Sequence, residues 1–217
     1  MLVLAALVAL AQAAGEPAAA ASPPSQPAPA TRDLARAVQA YYQRTQDLEA
    51  SFVQTYRYAA GGRSQVSRGT LKVKKPGRMR WDYQAPERKT VAVAGSRLVQ
   101  WEPEANQAYV DERFDASAMS AAVTFLLGQG SLEREFHLSS AGPGLLVLRP
   151  RKPDARVASV TLTVGPEGRV TATRVEDAQG NVNLIELAGI RRNVRLRDRD
   201  FEVQIPAGAH RITAPRP

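Results

Sequence analysis

The sequence predicts a mainly β domain of antiparallel strands in a meander, opened by one amphipathic helix and interrupted midway by a short apolar one. Three observations carry that prediction. From Ala50 onward, apolar and polar residues alternate with period two. Gly, Pro, Asn and Asp punctuate the chain at intervals of about ten residues, the spacing of strands joined by short turns. Helical spacing occurs in only two segments, one before the strands and one among them. With 217 residues, 44% of them hydrophobic, the chain has the length and composition of a globular protein with a core of its own.

Residues 1–13 are Leu, Ala and Val almost throughout and end in the small-x-small pattern Ala11-Gln12-Ala13, which predicts a signal peptide cleaved near Ala13 and therefore export. The apolar run is shorter than the roughly 20 residues that cross a bilayer. Residues 14–30 are rich in Pro, Ala and Ser and hold no large apolar side chain. They cannot offset their own ordering entropy, so they are expected to form a flexible tether. The folded domain is then 31–217.

Thr31 is the expected N-cap of the first helix. Asp33 lies in its first turn, Leu34, Val38, Tyr41 and Tyr42 line one face, and the helix ends near Leu48. Strands are predicted over 52–58, 66–74, 78–84, 90–94, 98–101, 108–110, 132–139, 145–149, 157–164, 170–177, 182–187 and 201–205. The clearest turns are 59–62, 165–168 and 179–181. The second helix is predicted over 115–128, where Met119, Val123, Leu126 and Leu127 share a face and Gly128 is placed to cap the end. Such a helix suits a lid over a pocket, or a plug at one end of a barrel.

Several chemistries are excluded at this level. The absence of Cys removes thiol nucleophiles, iron–sulfur clusters, disulfides and lipid attachment at an N-terminal Cys. His137 and His210 are the only imidazoles, and neither sits in a hydrolase, metal or nucleotide signature. No enzyme activity, metal or cofactor is therefore expected. The net charge of +8 is concentrated in Lys72, Lys74, Lys75, Arg78, Arg80, Arg88 and Lys89 and in Arg191, Arg192, Arg195, Arg197 and Arg199. Within strands such residues alternate with apolar ones and guard the solvent side, so no nucleic-acid partner is expected.

The segment Gly69-Thr70-Leu71-Lys72-Val73-Lys74-Lys75-Pro76-Gly77-Arg78-Met79-Arg80-Trp81-Asp82-Tyr83-Gln84-Ala85-Pro86 is the most informative in the chain. It closely resembles the pattern G-x-L-x-V-K-R-P-G-x-x-R-W-x-Y-x-x-P of LolA, the periplasmic lipoprotein-carrier family. Residues 48–54, 91–95, 98–101 and 201–208 also resemble family strands, so the likeness spans about residues 32–212.

The resemblance implies an unclosed antiparallel half-barrel with an N-terminal helix and short lid helices over an apolar cavity. By carry-over, Phe52, Leu71, Val73, Met79, Trp81, Tyr83, Val91, Val93, Trp101, Met119, Val123, Leu126 and Leu127 line that cavity. Lys75 takes the place of an Arg that latches the lid in many members. A Lys there donates from one flexible point, without the planar fork of a guanidinium. The implied role is a monomeric periplasmic carrier of acylated lipoproteins, loaded by an inner-membrane ABC-type release complex and unloaded at an outer-membrane lipoprotein acceptor. The alternative on the same fold is an envelope-stress sensor that binds lipid or mislocalised lipoprotein.

Overall fold

The computed structural model describes residues 29–115 and 131–214. The expected leader, most of the tether and all but the first residue of the predicted helix over 115–128, with Met119, Val123, Leu126 and Leu127, lie outside the described residues. Helix α1 (Pro29–Gln43) begins two residues inside the stretch assigned to the tether and stops before Leu48. Its end is set locally. The Thr45 hydroxyl donates to the Tyr41 carbonyl (2.8 Å), and Asp47 already opens the first strand. Thr31, the expected N-cap, lies inside the first turn of the helix and is buried.

Among the described residues twelve strands follow: β1 (Asp47–Arg57), β2 (Ser64–Lys74), β3 (Arg78–Ala85), β4 (Lys89–Ala94), β5 (Arg97–Glu102), β6 (Gln107–Asp111), β7 (Phe136–Gly142), β8 (Leu145–Pro150), β9 (Ser159–Val164), β10 (Val170–Glu176), β11 (Val182–Arg192) and β12 (His210–Thr213). They form one sheet in the order β12-β6-β5-β4-β3-β2-β1-β11-β10-β9-β8-β7, whose two end strands do not pair. All neighbours are antiparallel except β12, which runs parallel to β6. The sheet is thus the unclosed antiparallel half-barrel that the resemblance implies.

Two strand expectations need correction. Residues 132–135 form a short helix, α2 (Leu132–Glu135), rather than the start of a strand. The Glu135 carboxylate accepts from the Ser131 amide (2.9 Å) and closes that turn. Residues 201–205 do not pair as a strand. They follow a 3₁₀ turn at Asp198–Phe201. There the Arg80 guanidinium donates to the carbonyls of Glu202 (2.7 Å) and Asp200 (3.5 Å), taking the place of ladder partners. The closing strand is instead β12.

Residues opposite one another in a ladder share a face, so the register fixes what lies inside. Leu146, Leu162, Thr173, Ile185 and Gln54 form one row across β8, β9, β10, β11 and β1. Phe52, two residues from Gln54 on the same face, continues through Gly69 to Tyr83. Helix α1 covers the β7–β10 half of this inner face, burying Val38, Tyr41 and Tyr42 against Phe136, Leu146, Leu148, Val160 and Val170. Fully burying side chains of this size contributes about 1.5–3 kcal/mol each. The helix sits so low because Gly168 has no side chain. A Cβ there would stand 2.1 Å from the Ala37 carbonyl oxygen.

The outer face of β2–β6 is covered by the crossover that leaves β11. Asp47, only 6% exposed, anchors this crossover by accepting from the backbone amides of Val194 (2.7 Å), Arg195 (3.1 Å) and Leu196 (3.3 Å). Asp198 bridges Lys74 (2.6 Å) and Arg78 (2.9 Å), which hold its carboxyl below the usual range, chiefly through the Lys74 hydrogen bond. The basic residues Lys74, Arg78 and Arg80 therefore fasten this cover to the sheet.

Candidate functional site

The other half of the inner face, over β1–β5, is an apolar wall. Phe52 of β1, Leu71 and Val73 of β2, Met79 and Tyr83 of β3, Val91 and Val93 of β4, Leu98 of β5 and Phe114 are buried in one cluster. Trp81, Tyr109, Ile185 and Leu187 pack against it. The cluster is in register: Val73, Met79, Val93 and Leu98 form one row, and Leu71, Trp81, Val91, Gln100 and Tyr109 the next. Eight of the expected lining residues, Phe52, Leu71, Val73, Met79, Trp81, Tyr83, Val91 and Val93, thus come together.

Trp101 does not join them. It lies three residues from Leu98, an odd step along a strand, and so points to the outer face. There it packs with Val99, Ala108, Val110, Val203 and Ile205. The misplacement is a parity error that period two exposes. Leu98, Tyr109, Phe114, Ile185 and Leu187 are wall residues that the sequence reading does not include. The same parity is enough to find Leu98, whereas Ile185 and Leu187 enter the wall only because β11 pairs with β1.

The aromatic centre of the wall is tightly built. The Phe52 ring stands edge-on to Trp81 (centroids 4.8 Å apart) and to Tyr83 (5.0 Å), and Trp81 stacks along Tyr83 at 6.4 Å. Each such pair adds about 0.5–1.5 kcal/mol beyond its buried area. Gly69 makes room for it. A Cβ at that position would fall 2.0 Å from the Asp82 carbonyl oxygen and 2.9 Å from the Phe52 ring.

Polar groups frame one end of the wall. The Tyr83 hydroxyl donates to Gln54 Oε1 (3.0 Å), and Gln54 Nε2 donates to Asn183 Oδ1 (2.9 Å). Burial pushes the Tyr83 phenol well above its ordinary pKa. The Lys89 ammonium lies 4.7 Å from the centre of the Tyr83 ring, a cation–π contact. Burial lowers the Lys89 pKa, against the opposing pull of Glu102 and Glu87.

At the opposite end, where α1 meets the wall, a narrow cleft is lined by Tyr42, Thr45, Gln46, Asp47, Leu48, Leu71, Val73, Lys75 and Leu187. Its free interior of about 20 Å³ would hold a single water. That cleft is too small to take an acyl chain. The Lys75 ammonium donates to the Tyr42 carbonyl at the end of α1, and burial lowers the Lys75 pKa. What Lys75 is seen to hold is therefore the N-terminal helix. The expected latch to the mid-chain helix concerns residues outside those described.

Among the described residues there is no group of three His, Asp or Glu side chains placed to hold a metal. His137 lies beside the Arg151 guanidinium (3.3 Å), and His210 is exposed on β12. Also among the described residues, no helix is long and apolar enough to cross a membrane. What the geometry does offer is a curved sheet with one helix-covered half and one apolar, aromatic half on the same concave side. Those features define the class of open β half-barrels with an apolar inner wall.

Within that class, the family model for the outer membrane lipoprotein carrier protein LolA matches residues 43–204, and the chain belongs to this family. An outer-membrane lipoprotein carrier protein of Alkalilimnicola ehrlichii is 30% identical over 186 residues, 85% of each chain. One from Methylobacillus flagellatus is 28% identical over 182 residues, 82% of this chain and 87% of its own. Among solved structures, an uncharacterized conserved protein of Thermus thermophilus superposes with a TM-score of 0.52. That match covers 85% of this chain and 99% of the other at 11% identity, a likeness of fold alone.

Proposed function

We propose that this protein is a periplasmic carrier that takes up the acyl chains of lipoproteins released from the inner membrane and delivers them to an outer-membrane acceptor. It catalyses no covalent step and works as a monomer behind a cleaved signal peptide and a tether. Membership of the carrier family supports this reading, as do the names of the relatives from A. ehrlichii and M. flagellatus. The observation that carries it is the apolar wall running in register from Phe52 to Leu98 on the concave side of an open sheet.

The physics of the task fits such a wall. A lipoprotein cannot cross an aqueous gap with its chains exposed, because each CH₂ buried is worth about 0.8 kcal/mol. Wall side chains that pack on one another when empty and on lipid when loaded lower net affinity by the packing they give up. Cargo then passes downhill to a tighter acceptor with no nucleotide consumed at the carrier. An ABC-type complex supplies the cargo and a lipoprotein acceptor receives it.

Incubation with inner-membrane spheroplasts tests the proposal. Labelled lipoproteins are expected in the soluble fraction, bound to the protein one to one. If none is released while an established carrier releases them, the carrier reading fails.

A further inference from the structure

One polar group on the wall has no counterpart. Gln100 sits between Val91 and Tyr109 in the row that runs from Leu71 through Trp81, and it is 7% exposed. Its Nε2 donates to Glu102 Oε1, two residues along the same strand face. Its Oε1 is buried and accepts from nothing among the described residues. The orientation of the amide is chemically fixed, since a carboxylate can only accept and so holds the NH₂ end toward Glu102. The carbonyl end is left buried and unpartnered in the row between Val91 and Tyr109.

An unpartnered buried acceptor is costly, and any ligand that brings it a donor recovers that cost. We propose that the Gln100 side-chain carbonyl accepts the amide N–H at the head of an N-acylated cysteinyl peptide, and so selects lipopeptides over glycerophospholipids. The inference rests on the carrier reading and adds a basis for discrimination to it. An apolar wall alone distinguishes fatty chains poorly, because every CH₂ contributes alike. Where phospholipid chains join glycerol, the ester and phosphate oxygens only accept. They would leave Gln100 unpaired and bring like partial charges together. An N-acylated cysteine presents an N–H at the corresponding depth, just beyond the first acyl carbonyl.

The test uses the full chain and three ligands of equal chain length: a triacylated cysteinyl hexapeptide, the same peptide methylated at the acyl-amide nitrogen, and a phosphatidylcholine, which carries no hydrogen-bond donor and is expected to bind no tighter than the N-methyl peptide. Binding is read by displacement of a fluorescent fatty-acid probe. The wild type is expected to bind the N–H lipopeptide about tenfold tighter than the N-methyl one, the size of one hydrogen bond. In Gln100→Leu, and in Gln100→Met as a second variant of similar volume, that ratio is expected to fall to about one.

A ratio near one in the wild type, or a tenfold ratio that survives both substitutions, overturns the assignment of Gln100. Failure of the wild type to bind any of the three ligands overturns the carrier reading on which it rests. If neither variant folds, the wild-type ratio alone decides.

Discussion

Met79→Glu is expected to abolish lipopeptide uptake and to lower the stability of the folded domain by about 4 kcal/mol, the upper range for a single substitution. Met79 is 3% exposed and lies in register between Val73 and Val93, with Leu98 completing the row. None of these neighbours can pair a carboxylate. If position 79 merely lined an empty cavity, a carboxylate would be tolerated in the folded state and would repel lipid only. The packing of the wall predicts that both suffer.

A pH series separates the two effects from simple misfolding. Burial raises the introduced glutamate's pKa above its unfolded value of about 4.3, so the neutral form is favoured in the fold. The variant's stability relative to wild type should improve as pH falls toward 5 and worsen as pH rises to 8. Urea midpoints at the two pH values measure this, with Met79→Leu as the volume-conserving control expected to lose under about 1.5 kcal/mol. A Met79→Glu variant with wild-type midpoints and wild-type uptake would remove position 79 from the wall.

Gly69→Ala is the second large effect, and it acts through the backbone. A methyl group at Gly69 would stand 2.0 Å from the Asp82 carbonyl oxygen, a group held by its own strand, and 2.9 Å from the Phe52 ring. Neither can yield without moving β3 or breaking the Phe52–Trp81–Tyr83 packing. A loss of about 3 kcal/mol is expected, which in a domain of this length lowers Tm by roughly 10 °C. Gly208→Ala provides the contrast, since nothing lies within 4 Å of the added carbon. It should shift stability by less than about 0.5 kcal/mol. Equal melting of the two variants would mean that Gly69 is not where the aromatic wall meets the strand.

The motif that opens at Gly69 is legible in the sequence, though its physical reason is not. Most of the meander is legible too, because strands with one buried face carry alternation on their surface: β3, β4 and β10 are found within one residue of the predicted ends. The C-terminal region misleads because its apolar residues are buried without a ladder. Val203 and Ile205 pack on the outer face while Arg80 takes the nearby carbonyls. The exposed strand β12 has no apolar alternation to announce it. At the site, hydrophobicity marks the wall from Phe52 to Val93 but passes over Gln54 and Gln100. A polar residue on a buried face is invisible until register shows which neighbours it has. Asp47 is hidden for the same reason, its three amide donors coming from residues 147, 148 and 149 positions away.

The chain's two tryptophans report on opposite faces of the same sheet, Trp81 on the concave wall and Trp101 beneath the outer cover. Trp101→Phe leaves Trp81 as the one tryptophan, and Trp81→Phe leaves Trp101, each read with excitation at the indole's red edge, where the tyrosines do not absorb. Titrated with a lipopeptide whose acyl chains carry bromine, the first variant should be quenched in proportion to cargo bound, and the second should remain bright. Quenching of Trp101 with Trp81 untouched would place the acyl chains on the wrong side of the sheet and contradict the account.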